Sequence, residues 1–308
     1  MAEKEYIAKR SKRQRRNFWL LVAPAFISLI LVIFIPFFMG IYYSFTDWGG
    51  IIKPEANLKG LQNYFDSFAD SRYRYSVMVT FIFAFFNIIT INIVGFTLAM
   101  IVSSKVKARD VYRAGFFIPN LIGGLVLGYI WQFIYNNVFP NIGKTIGIDW
   151  LANNLFLGNP KLAVMALVMT STWQYAGYIM MIYYAGLQNV PQSLYESASL
   201  DGANWWEKLR HITFPMIMPA FTVSLFLTIN NSFKMFDVNV SLTGGGPSMM
   251  WNGAAIKSTE FMTMNIYNTA SVENKLALGQ ARAVILFVIL VVISLTQTTI
   301  TKRQEVEM

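Results

Sequence analysis

The feature that most constrains this chain is a series of apolar runs too long for the interior of a soluble domain. They cover about residues 18–45, 76–103, 111–134, 162–187, 215–233 and 278–300. Each approaches or exceeds the roughly 20 residues that an α-helix needs to cross about 30 Å of hydrocarbon. Lipid offers no partner to a backbone N–H or C=O, so a spanning segment has to satisfy its own by coiling. The runs predict an all-α membrane protein with six transmembrane helices and both termini on one side. Hydrophobic residues at 55% and charged residues at 13%, about half the usual charged share, fit that class.

Residue types exclude several chemistries. The chain has no Cys and a single His, His211, so disulfides, thiolate metal sites, a His cluster and a Ser-His-Asp triad are out of reach. Gly143-Lys144-Thr145 ends like a phosphate-binding loop, but Val138 stands where that pattern needs its first Gly. The chain is accordingly not expected to be an enzyme. Asn230-Asn231-Ser232 fits a glycosylation pattern yet falls inside an apolar run. A formal charge of +9 raises nucleic acid as a partner; the placement of that charge points to membrane topology instead.

Residues 1–17 form a basic tail in which Lys4, Lys9, Arg10, Lys12, Arg13, Arg15 and Arg16 outweigh Glu3 and Glu5. The charge-free run after it is too long for a signal peptide and lacks a small-residue cleavage site, so it is expected to remain as an anchor. Lys105, Lys107, Arg109, Arg113, Lys208, Arg210, Lys302 and Arg303 fall on the same side of the bundle as the tail. That side holds fifteen basic residues in about 62 positions, against ten in about 100 on the other, Arg282 included. The denser side is cytoplasmic by the positive-inside rule. The membrane-embedded body, residues 18–304, thus has both termini and the polar segment 188–214 inside the cell.

Segment 188–214 has the punctuation of two short helices. Ser193 and Glu196 have capping-box spacing for a helix through Leu200. Asp201-Gly202 supplies a turn. Asn204 and Glu207 start a second helix, and Pro215 stops the pattern. Within it, Glu196-Ser197-Ala198-Ser199-Leu200-Asp201-Gly202-Ala203, followed by Ile212-Thr213-Phe214-Pro215, resembles the EAA loop of permease subunits of binding-protein-dependent ABC importers. Ser197 stands for an Ala of that motif and Phe214 for its Leu. In the outer segment 234–277, Leu242-Thr243-Gly244-Gly245-Gly246-Pro247 resembles a turn of the larger permease type in maltose, glycerol-phosphate and multiple-sugar importers.

The resemblance implies a type I ABC importer transmembrane domain with a cytoplasmic EAA coupling loop, in a bacterial cell membrane. It implies a second homologous permease as heterodimer partner, two copies of a cytosolic ATPase, and an extracytoplasmic solute-binding protein. ATP and magnesium would belong to the ATPase, with no cofactor on this chain. Leu194, Tyr195, Ala198 and Leu200 would give apolar contact to the ATPase, and Glu196 would pair with a basic residue there. Gly202, between Asp201 and Ala203, would permit the bend.

Polar groups inside apolar runs mark either helix–helix hydrogen bonds or a solute path. Counting about 1.5 Å per residue puts Asn87, Asn120 and Gln174 near the midplane of straight spans, and Asn230 and Asn231 in the outer half. Amides and aromatics at similar depth suit a sugar, whose hydroxyls need donors and acceptors and whose C–H faces lie on rings. No carboxylate sits mid-span, which counts against an ion-coupled carrier. Asn230 and Asn231 also resemble the position where sugar permeases line their cavity, as do Trp173, Gln174, Tyr175 and Gly177 on the fourth run. With Asn120 these are the cavity candidates. The expected cargo is a sugar, and glycerol-phosphate or another polar solute stays open.

Overall fold

The computed structural model describes residues 2–104 and 107–304. Lys105, one of the topology charges, lies outside the described residues. The basic segment is the beginning of the first helix: α1 (Ala2–Leu29) continues through a π turn at Ile30–Phe34 into α2 (Ile35–Ser44). From Phe18 to Phe38 nearly every large apolar side chain of this rod is exposed. Only its far end packs, where Phe37 meets Phe287 of the last helix edge to face at 5.0 Å.

The centre of the bundle is α4 (Ser71–Ser103), which follows the short α3 (Gln62–Ala69), packed along α9 (Pro160–Gln188). α13 (Met218–Phe233) and α16 (Leu276–Lys302) close the other side. Three apolar cores result. Tyr75, Val79, Phe83, Leu127, Tyr135 and Phe156 fill one end. Ile91, Ala99, Val102, Ile179, Met180 and Ile217 fill the other. Tyr73, Ala84, Ile229, Phe233, Leu286 and Leu290 join α4, α13 and α16.

The expected runs appear as helices, but two of them are bent. Residues 109–134 are not one straight span. α5 (Arg109–Phe117) and a 3-10 turn at Ile118–Leu121 meet α6 (Gly124–Phe133) and its extension, through a π turn at Ile134–Val138 and α7 (Phe139–Ile146), at 98°. Pro119 lacks an N–H, and Ile122 and Gly123 are extended, so the ladder breaks there. The depth expected for Asn120 rested on a straight helix and does not hold, since the chain turns at that residue. The second bend is also displaced from expectation. Pro215 does not end the loop helix; it sits in α12 (Phe214–Met216), and the chain turns 72° at Ile217 before α13. Pro219 falls in the first turn of α13, where its missing N–H costs nothing.

Among the described residues, Asn17–Ser44, Ser71–Ser103 and Leu276–Lys302 are long and apolar enough to cross a membrane, and the two bent pairs raise that number to five. α9 has 29 residues, but Thr170, Ser171, Thr172 and Gln174 dilute its hydropathy.

The chain is not wholly α. Between α14 (Asp237–Leu242) and α15 (Met262–Tyr267) lies a hairpin of β1 (Ser248–Trp251) and β2 (Ala254–Lys257), with Met249 opposite Ile256. Asn252 and Gly253 both have positive φ, the geometry of a two-residue hairpin turn. The Leu242–Pro247 turn before it is tied down by buried groups. Asn239 Nδ2 donates to the Thr259 carbonyl at 2.8 Å, and Thr259 Oγ1 to that of Gly246 at 2.7 Å. Short α8 (Asp149–Asn153) packs against α7, and its Leu151 lies against the same core as Ile256 of the hairpin.

Candidate functional site

Segment 188–214 folds as two limbs. The first is α10 (Gln192–Leu200), capped by Pro191 with no side-chain bond, so the Ser193–Glu196 box does not form. The second is α11 (Trp205–Lys208), which does carry the expected reciprocal cap. Asn204 Oδ1 accepts from Glu207 N at 3.0 Å, and Glu207 Oε2 from Asn204 N at 2.7 Å. Gly202, at φ +80°, makes the turn. A π turn at Leu209–Thr213 leads on to α12.

The candidate residues of this loop divide by direction. Leu194, Glu196, Leu200, Asp201 and Gly202 are exposed, Leu200 almost fully at 90%. Tyr195 turns inward instead, sharing a 2.9 Å hydrogen bond with Thr213 Oγ1 of the second limb. Ala198 and Ala203 are half-buried, and Ala203 N donates to the Ala198 carbonyl. Lys208 Nζ reaches Ser199 Oγ at 2.7 Å. The limbs therefore brace each other and present an apolar tip. Trp205 and Trp206, both more than 60% exposed, extend that tip. Sequence reasoning passed over them, although two adjacent Trp in a polar loop are themselves a signal.

The cavity candidates do not all line one of the clefts found among the described residues. Tyr175 and Asn231 do meet, in a cleft of about 190 Å³ that Gly124, Lys234, Phe236 and Asp237 also line. The others lie outside that cleft. Gln174 is buried, and its Nε2 donates to the Ile122 carbonyl at 3.1 Å, satisfying a group freed by the 98° break. Among the described residues its Oε1 has no hydrogen-bond partner. Trp173 is exposed and meets Trp131 edge to face at 5.6 Å. Gly177 faces no cavity, because a Cβ there would lie 1.7 Å from the Phe116 carbonyl oxygen. Asn230 Nδ2 donates to the Phe226 carbonyl at 2.8 Å and reaches Ser294 Oγ of α16 at 3.4 Å. Asn120 is half-buried at the bend and away from the cleft lining.

Helix–helix hydrogen bonding accounts for further polar groups. Asn87 Nδ2 donates to Ser232 Oγ at 2.8 Å. Asn92, unremarked in the sequence, is held by Thr228 at 3.0 Å and accepts from Tyr183 Oη at 2.7 Å.

At the end carrying the hairpin, an ionic cluster ties distant segments together. Arg282, buried within α16, pairs with Asp70 at 2.6 Å and donates to Asn265 and Thr269 at 2.8 and 2.7 Å. Its guanidinium lies over the Tyr73 ring. Arg72 bridges Glu260, itself buried, and Glu273. Burial raises the Glu273 carboxyl, but hydrogen bonds from Lys275 and Arg72 outweigh that and hold it below its usual range. The one sequence clue was Arg282, a lone charge in an otherwise apolar run.

Residues 91–306 match the family described as binding-protein-dependent transport system inner membrane component. The chain is 45% identical over 98% of its length, and all of the relative's, to a probable starch degradation products transport system permease protein, AmyD, of Thermoanaerobacterium thermosulfurigenes. It is 30% identical to an sn-glycerol-3-phosphate transport system permease protein, UgpA, of Agrobacterium fabrum, covering 91% of this chain and 92% of that one. The fold matches a chain of a bacterial alginate ABC transporter solved with a periplasmic protein bound to alginate pentasaccharide. The TM-score is 0.79 at 18% identity, over 96% of both chains.

Proposed function

The chain belongs to the family of binding-protein-dependent transport system inner membrane components, and on that premise we propose that it is one permease of an ATP-driven oligosaccharide importer. Its near relative named for starch degradation products, matched end to end, supports a sugar cargo. The observation that carries the mechanism is the braced loop 188–214, whose two limbs hold each other while Leu194, Glu196 and Leu200 face outward. An apolar tip beside a carboxylate suits a groove on a cytosolic ATPase. Closure of an ATPase pair would pull the loop, and rigid-body rocking of two permeases would turn the cavity from one side to the other.

In this reading α9 is a sixth span beside the five apolar ones, both termini are cytoplasmic, and the partner is a second, different permease. An external binding protein delivers the solute at the hairpin end. ATP and magnesium stay on the ATPase. Since the chain has no Cys, Leu200→Cys introduces a single thiol. In membranes containing the whole transporter, that thiol should crosslink to the ATPase and to nothing on the external side. Crosslinking to an external protein, or sugar uptake that survives ATP depletion, would refute the reading and favour an ion-coupled carrier. The relative named for sn-glycerol-3-phosphate supports a second cargo; competition between maltotriose and glycerol-3-phosphate for uptake decides between them.

A further inference from the structure

We propose that Lys234 and Asp237 are the specificity-determining pair of the solute path, selecting uncharged, polyhydroxylated solutes at the cleft they share with Tyr175 and Asn231. The inference rests on the importer reading above and adds to it two residues that lie past the end of the apolar run.

Lys234 closes the last turn of α13 through its backbone N–H, which donates to the Asn230 carbonyl. Asp237 opens α14. Both side chains are exposed, and among the described residues neither makes a hydrogen bond or ion pair. Several acids and bases near this end are engaged: Arg72, Glu260, Glu273 and Arg282 bond one another or their neighbours, and Lys257 donates to the Gly244 carbonyl. The cleft thus holds two charges left without partners, of opposite sign, in a chain where charge is scarce.

The wall that carries them is built by close approach. A Cβ on Gly124 would lie 2.8 Å from Asp237 Cβ and 3.3 Å from Val238 Cγ2, so the start of α6 touches the start of α14 only because this residue is Gly. Phe236, between the two charges, is fixed edge to face against Tyr267 at 5.4 Å. The pair is therefore mounted on packed elements.

The chemistry follows from the donor and acceptor inventory. A carboxylate only accepts, and its two oxygens can take the O–H groups of a vicinal diol. An ammonium only donates, to hydroxyl or ring oxygens. Asn231 does both, and the Tyr175 ring offers a face for C–H groups. A space of about 190 Å³ lies below the roughly 300 Å³ of drug-sized pockets, which suits one sugar unit of a longer chain. Because the two charges cancel, a neutral solute meets matched partners. A uronate gains Lys234 as a counter-charge but meets Asp237 as a like charge, and a sugar amine the reverse, so neither gains net attraction from the pair. A neutral polyol finds both an acceptor and a donor.

The test uses the complete transporter in proteoliposomes, with maltotriose as neutral probe and trigalacturonate as acidic probe. Asp237→Asn should raise KM for maltotriose about tenfold, the loss of charge-assisted hydrogen bonds, with kcat within about twofold. It should also shift selectivity toward trigalacturonate. Lys234→Gln should raise KM for maltotriose severalfold and leave trigalacturonate excluded. Being an exposed residue, Lys234 gives a readout even if Asp237→Asn fails to accumulate in the membrane. Wild-type KM and an unchanged selectivity ratio in the variants would overturn the inference while leaving the importer reading intact. Failure of the wild-type transporter to take up either trisaccharide would instead overturn the oligosaccharide reading on which the inference rests.

Discussion

Replacing Gly177 by Ala separates a packing role from the cavity role that its position suggested. The ideal Cβ falls 1.7 Å from the Phe116 carbonyl oxygen, 2.4 Å from its carbon and 3.1 Å from Phe117 N. Restoring even a tight contact of 3.0 Å requires α9 and the end of α5 to separate by about 1.3 Å. The atoms in the way are backbone, so no rotamer change relieves the clash. Overpacking of this kind costs about 1–3 kcal/mol, and a rigid backbone neighbour puts this case at about 3 kcal/mol. At a few degrees per kcal/mol for a chain this size, Tm should fall by about 5–10 °C. Thermal denaturation of the detergent-solubilised protein, followed by size exclusion, reads this directly. Gly115→Ala is the control. Gly115 lies in α5, where a Cβ would meet no atom within 4 Å, and Ala favours helix over Gly by nearly 1 kcal/mol, so its Tm should hold or rise. A Gly177→Ala variant with wild-type Tm and a changed KM for solute would refute the packing argument and return Gly177 to the cavity.

Three further outcomes are expected. Arg282→Leu leaves Asn265 and Thr269 without their donor and Asp70 without its counter-charge; it should destabilise by about 3 kcal/mol, discounted for the partial exposure of Asp70, and an unchanged Tm would contradict the cluster's role. Because the Glu273 carboxyl is held below its usual range, its contribution is present above the ordinary glutamate value and is lost as pH falls through the depressed one. Tm measured against pH should therefore drop in the acid range, and Glu273→Gln should flatten that drop. Gly202→Pro cannot adopt φ +80° and loses the N–H that donates to the Ser199 carbonyl. It should insert normally yet hydrolyse ATP without moving solute, and normal uptake by this variant would count against the coupling role.

The apolar runs were legible because hydrocarbon enforces helical backbone pairing, and a run's length then reports a span. The second loop limb was equally legible, since Asn204 and Glu207 sit at the spacing that caps a helix. The bends were not, because Pro119 marks a break only once Ile122 and Gly123 become extended, and Pro215 was tolerated where it stood. The hairpin had a local signal in Asn252-Gly253 that the surrounding length of the segment obscured. The ionic cluster showed only Arg282, a lone charge in an apolar run; its pairings were hidden, as Arg72 and Glu260 are 188 positions apart and only tertiary packing brings them together. The cavity candidates rested on depth along straight helices and on a resemblance to the lining of sugar permeases. Depth alone could not tell Gln174, which satisfies a broken turn, from Tyr175, which faces open space.

The ionic cluster has a mechanical consequence. It fastens α4, α16 and the hairpin segment at one end, so those parts travel as one piece when the opposite end is pulled. On the proposed mechanism, strain entering at the braced loop would concentrate where the backbone ladder is already interrupted, at Ile217 and between Leu121 and Gly124. On that mechanism those two joints would be the pivots of this chain, and stiffening either one should stall it without touching motor or cargo.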